Sequence, residues 1–295
     1  MASDLPPPVV VGVDPSQTSL RAARFAADEA RMRHAPLRLV HARSWPFDGM
    51  AIPPTDLDLQ GQLQVGAATV VQLAVDAVAG MLPGELVSTV TEDGDPVTVL
   101  EAAATDAQLV VVGSRGVGGV AGLLLGSTAN GLVARAHCPV VVLHDDQAAR
   151  VSYRQSVVVG VRGSPDDERV LAFAFAEAVA RSTDLVAVHA WQDVVLEASF
   201  RSVGPLVDWA GVAADEERLL GEMLGGWRDE EPDVPVREVV LRERPAAALV
   251  AAATTAQLLV VGHRRRIRLG STTHGVLHRA PCPVAVVPLT ADGRR

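Results

Sequence analysis

The chain runs to 295 residues, 48% hydrophobic and 21% charged, a length and balance suited to two domains that each bury a core. A formal net charge of −9 at pH 7 argues against wrapping nucleic acid, which needs many cations to displace condensed counterions. No apolar run approaches the roughly 18–20 residues that cross a bilayer, and the first residues lack the regions of a signal peptide, so a cytoplasmic chain without a membrane span is expected.

In chain order, β-branched runs alternate with alanine-rich stretches of helical period, the pattern of parallel strands covered by crossover helices. Strands are predicted over 8–13, 37–42, 85–91, 108–113 and 139–144, with helices over 18–34, 57–81, 96–106 and 127–136. A polar linker follows near 145–155. The order then repeats, with strands over 156–161, 184–190, 234–241, 257–262 and 283–288.

The two halves are copies. Val9-Val10-Val11-Gly12-Val13-Asp14-Pro15-Ser16 is answered by Val157-Val158-Val159-Gly160-Val161-Arg162-Gly163-Ser164, and Cys138-Pro139-Val140 by Cys282-Pro283-Val284. The offset is 148 or 149 residues through the fourth strand and 144 at the fifth, so the second copy is five residues shorter after strand four. Domains are expected over 1–146 and 155–295. Aromatic residues are only 3%, so the cores must be alanine, valine and leucine. Every basic residue is arginine, which excludes a P-loop lysine, a kinase strand lysine and Schiff-base chemistry. Cys138 and Cys282, at matching places in separate domains, read as buried thiols rather than a disulfide.

Right-handed crossovers within one sheet give a doubly wound α/β domain. If strand one is central, the winding reverses between strands one and four, where ligands bind beyond the carboxyl ends. Asp14 ends strand one. Strand four ends in Gly113-Ser114-Arg115-Gly116, and the chain continues through a glycine-rich stretch with Gly118, Gly119 and Gly122 to Gly126-Ser127-Thr128. Glycines let backbone N–H groups approach an anion, and a following helix start adds open donors and the positive end of its dipole. Asp14 can accept from ribose hydroxyls or an adenine amine, or can cap a helix in an Asp-Pro-Ser turn. Ser16 and Ser19 read as turn and cap residues. Arg115 suits a phosphate or a solvated loop. Ser127 can cap, donate to phosphate or ligate a metal.

The glycine spacing, with Val13-Asp14 at strand one and Cys138-Pro139-Val140 opening strand five, resembles the ATP-binding branch of the universal stress protein family, as a tandem pair covering nearly the whole chain. The resemblance implies Rossmann-like domains of the adenine nucleotide alpha hydrolase type, each a five-stranded parallel sheet in the order 3-2-1-4-5. It implies that Asp14 and the end of strand two, at His41, contact adenine or ribose, and that Gly113, Arg115, Gly116, Gly126, Ser127 and Thr128 surround the phosphates of ATP with an accompanying Mg2+. It also implies stress adaptation and strand-five pairing, within the chain or in a homodimer.

The second copy departs from the pattern. Arg162 replaces Asp14, Arg265 replaces Gly116, and Gly262 and Gly270-Ser271-Thr272 remain. ATP is not expected there in the same mode. Arg264, Arg265, Arg266 and Arg268 suit a smaller anion, or form a solvated or intersubunit basic loop. His274 and His278 lie four apart on one helix, a spacing used for zinc, with no third ligand evident. His41 and His189 read as core or crevice-lining residues. The stretches 44–56 and 191–207, with Trp45 and Trp191, are long enough to fold over the crevice mouths.

The leading expectation is a nucleotide-binding regulatory protein with little or no turnover and an unidentified protein partner, since no general base or paired catalytic carboxylates are evident. One alternative is an enzyme, either a slow ATP hydrolase or a nucleotide-dependent ligase. A pyrophosphatase-type synthetase needs Ser-Gly-Gly-x-Asp-Ser where this chain has Val13-Asp14-Pro15-Ser16-Gln17-Thr18-Ser19, and the His-x-Gly-His of a class I synthetase is absent. Another alternative is an interaction module in which nucleotide is incidental.

Overall fold

Valine-rich runs set the sheets. In the computed structural model, which describes residues 5–44, 59–116, 125–144, 156–191, 208–264 and 269–289, the chain divides into two units, Met1–Ala148 and Ala149–Arg295.

In the first unit Val9–Gly12 (β1), Leu37–Arg43 (β2), Val87–Asp93 (β3), Leu109–Gly113 (β4) and Val140–Leu143 (β5) form a parallel sheet in the order β3-β2-β1-β4-β5. β1, β4 and β5 are buried along their lengths, as β-branched residues covered on both faces should be. β3 departs from that pattern. It starts two residues later than predicted because Gly84–Leu86 forms a 3-10 turn, and most of it is exposed because it is an edge strand.

The helices Gln17–Met32 (α1), Leu59–Val78 (α2), Pro96–Ala103 (α3) and Ser127–Arg135 (α4) follow the expected positions. α1 buries Ala22, Ala23, Ala26, Ala27 and Ala30 on one face, so it can lie close to the sheet. Ser16 caps it, its side chain accepting from Ser19 N. Pro96 opens α3, and Asp95 caps it by accepting from Thr98 N.

The second unit repeats the plan with Val157–Val161 (β6), Leu185–Ala190 (β7), Val236–Leu241 (β8), Leu258–Arg264 (β9) and Val284–Leu289 (β10), in the order β8-β7-β6-β9-β10. Its helices are Asp167–Arg181 (α5), Trp209–Glu230 (α6), Pro245–Ala252 (α7) and Ser271–Arg279 (α8). Each unit also keeps a buried carboxylate on its first helix, Glu29 with Arg33 at 3.2 Å and Glu177 with Arg181, the carboxylates only 1% exposed. Cys138 and Cys282 are buried and free of disulfide. Among the described residues, no helix is long and apolar enough to cross a membrane.

Candidate functional site

The winding of the first unit reverses between β1 and β4, the two strands beside each other at the centre of the sheet. The segments leaving their carboxyl ends therefore meet in one crevice. Asp14 is held there by its own turn. Its N–H donates to Ser19 Oγ at 2.8 Å, while Oδ1 accepts from Ser16 N at 2.9 Å and Ser16 Oγ at 2.5 Å. Ser16 and Ser19 are thus turn and cap residues. Of the two roles open to Asp14, the capping one is taken by Ser16.

Gly116 comes across from β4 and lies against this aspartate; a Cβ on Gly116 would overlap Asp14 Oδ2. A Cβ on Gly113 would stand 2.9 Å from Thr18 Cγ2, so Gly113 admits the first turn of α1 to the end of β4. The two ends of the glycine-rich excursion close on each other, Gly126 N donating to Ser114 O at 2.6 Å. Gly126 is also the N-cap of α4 and brings no capping side chain, so the first-turn N–H groups from Ser127 onward lack intrahelical acceptors. Gly118, Gly119 and Gly122 lie outside the described residues.

His41 at the end of β2 donates through Nδ1 to Val13 O at 2.8 Å, which ties the second strand end to the residue before Asp14. The structure therefore gathers Asp14, His41, Gly113, Arg115, Gly116, Gly126, Ser127 and Thr128 around the carboxyl ends of β1, β2 and β4. Ser114 is a candidate that the sequence pattern did not single out. It is 1% exposed and its Oγ has no hydrogen-bond partner among the described residues, at the root of the loop between Gly113 and Arg115. Its only signal was its place directly after the glycine that ends the strand.

Two segments of the chain, 7–144 and 154–288, match the family model described as the universal stress protein family. A universal stress protein of Mycobacterium tuberculosis is 40% identical, over 94% of this chain and 96% of the relative, and one of Mycolicibacterium smegmatis is 39% identical over 95% and 96%. The chain belongs to the universal stress protein family. The fold is also that of a universal stress protein crystal structure from Archaeoglobus fulgidus, with a TM-score of 0.69 and 18% identity over 95% of this chain and 98% of that one.

The second universal stress protein unit rebuilds the same corner with opposite charges. Arg162 N donates to Asp167 Oδ2 at 2.8 Å, as Asp14 N does to Ser19 Oγ. Asp167, 1% exposed, thus takes over the part of Ser19, and its Oδ1 accepts from Arg162 Nε at 3.3 Å. The carboxylate has moved from the crevice edge into the helix start, with an arginine in its former place. Arg264 is engaged as well, donating to Asp166 Oδ2 at 3.2 Å, so of the four arginines suited to an anion it faces an acid, while Arg265, Arg266 and Arg268 lie outside the described residues.

His189 donates through Nδ1 to Val161 O at 3.0 Å, as His41 does to Val13, and its Nε2 meets Glu216 Oε2 at 2.8 Å. At Ser114's place stands His263, 3% exposed with no partner for Nε2 among the described residues, and burial holds its pKa below the ordinary histidine value. A further swap lies at the ends of strands two and three of each unit. Arg43 makes a two-pronged ion pair with Asp93 in the first; in the second, Trp191 stacks on Trp209 at 6.2 Å with Arg242 over the Trp209 ring at 3.4 Å. Trp45 and the stretches 45–58 and 192–207 lie outside the described residues. The His274 and His278 rings are 4.2 Å apart, but no cluster of three or more metal-ligating side chains occurs among the described residues.

Proposed function

We propose that the first unit binds ATP, and that this universal stress protein uses occupancy of that site as a regulatory signal in stress adaptation, with little or no turnover. The observation that carries the reading is the meeting of Asp14 with Gly116 across the switch point, beside a loop closed by Gly126 on Ser114 and an α4 start whose cap residue has no side chain. An acceptor stands on one side of the crevice for adenosine, and backbone N–H groups with the Ser127 and Thr128 hydroxyls stand on the other for phosphates. The buried Ser114 Oγ, without a partner among the described residues, adds one more polar group.

Mg2+ fits this donor set only as a passenger on the phosphates. It dehydrates reluctantly and is commonly held by one or two protein oxygens plus substrate phosphates, and the Ser127 and Thr128 hydroxyls on the phosphate side offer that much. The ion would neutralise phosphate charge there. Every group named holds or orients a nucleotide, which is why a sensor is favoured over a hydrolase. A cytoplasmic homodimer that presents the nucleotide state to a protein partner completes the reading.

The test is mass spectrometry of small molecules released from freshly purified protein, quantified per chain. About one ATP or ADP per chain, lost in Asp14→Ala, is expected. Two per chain would mean that the second unit also binds, and none, with no uptake of added Mg-ATP, would turn the assignment to an interaction module.

A further inference from the structure

In the second unit a groove of about 590 Å3 opens between α5 and α6. Leu171, Leu219, Met223 and Trp227 make its apolar walls, and Glu168 and Glu230 stand at its rim. The volume falls within the roughly 300–1,000 Å3 of ordinary small-molecule sites. We propose that this groove binds an apolar organic cation, an aromatic or alicyclic skeleton carrying a protonated amine. The inference does not rest on the nucleotide reading of the first unit.

Three observations support it. Trp227 is fixed in place, stacked on Phe175 with ring centroids 5.4 Å apart and planes 17° from parallel, so the groove offers a preformed aromatic wall. The matching residues of α1 are Ala23 and Ala27, both buried, where α5 has Leu171 and Phe175, so the aromatic support of this wall is particular to the second unit.

The charge at the rim points to a cation. Among the described residues neither Glu168 nor Glu230 has an ion-pair partner, and Glu230 is the last residue of α6, where the helix dipole disfavours a negative charge. Nothing in α6 itself calls for an acid there.

The backbone of α6 adds the third. Gly225 and Gly226 sit in its interior, where each lowers helix stability by about 1 kcal/mol relative to alanine. A Cβ on either would meet nothing within 4 Å, so no neighbour among the described residues demands a glycine at these positions. Gly226 lines the groove and leaves its volume open.

The experiment is calorimetric titration of the full chain with 1-naphthylethylamine. Two controls accompany it: 1-naphthaleneacetic acid, which keeps the rings and reverses the charge, and spermidine, which keeps the charge and lacks the rings. Saturable binding of one naphthylethylamine per chain is expected, with both controls weaker by about tenfold or more. Glu168→Gln with Glu230→Gln, two exposed changes that leave the walls intact, should weaken the amine about tenfold. Gly226→Leu should abolish binding, because it fills the groove with a residue that also favours helix. No saturable binding, equal binding of the acid, or a titration unchanged in both variants would overturn the proposal.

Discussion

Gly116 and Asp14 meet so closely that a Cβ on residue 116 would overlap Asp14 Oδ2 unless the carboxylate moved. The glycine thus leaves the aspartate room in its observed position. Asp14 cannot simply swing away, because Ser16 binds its Oδ1 twice and Ser19 holds its N–H. The second unit changes both partners together, with Arg162 for Asp14 and Arg265 for Gly116.

Gly116→Ala should therefore displace the Asp14 carboxylate. Overpacking of this kind destabilises by about 1–3 kcal/mol, and on the nucleotide reading ATP affinity should fall by about tenfold or more. Asp14→Ala combined with Gly116→Ala should recover most of the stability and none of the affinity. Chemical denaturation and calorimetry on the two single variants and the double one measure this. Additive stability losses would show that the two residues are not coupled.

The strands and α1 were legible because each rests on local pattern, valine runs for buried strands and alanine spacing for α1, whereas the sheet order was implied by the family resemblance and not by any strand's own residues. The charge inversion in the second unit was only half legible. Arg162 stands out against Asp14, but Asp167 looks like an ordinary acid in a first helical turn until the fold shows it in Ser19's place. Trp191 and Arg242 are likewise 51 positions apart in the chain and become partners only through the register of β7 on β8. Exposure at a sheet edge, as in β3, depends on topology, which a strand's own residues do not carry.

The Arg162–Asp167 pair makes the second unit resistant to simple reversion. Arg162→Asp would place a carboxylate beside the buried Asp167 and remove the cation bound to it, an expected loss of about 1–3 kcal/mol because Arg162 is itself 42% exposed and its charge screened. Adding Asp167→Ser, which restores the arrangement of the first unit, should return most of that stability. Neither variant should gain an ATP site while the loop remains five residues short. Thermal unfolding of both, with ATP titration, is the measurement; a second nucleotide bound by Arg162→Asp alone would show that loop length is not limiting.

Burial pushes the thiol of Cys138 up to about 11 and that of Cys282 up to about 12. Reaction with a disulfide reagent requires the thiolate, so near pH 8 the native protein should react only as fast as it unfolds. Both thiols should titrate in denaturant. Rapid reaction of either one in the folded state would mean that the site opens locally.

His263 gives the second unit a defined acid sensitivity. Its imidazole is buried, Nε2 has no partner among the described residues, and burial lowers its pKa from the ordinary value near 6.5. The unfolded chain therefore takes up a proton that the folded chain refuses. Stability from this residue is fully present above pH 6.5 and is lost as pH falls from there toward the depressed folded value. His263→Ser, which installs the residue found at the matching place in the first unit, should lower stability near neutrality through lost packing yet flatten the decline between about pH 7.5 and 5.5. Denaturant midpoints of both proteins at those two pH values decide the matter. An equal decline in both would assign the acid sensitivity to other histidines.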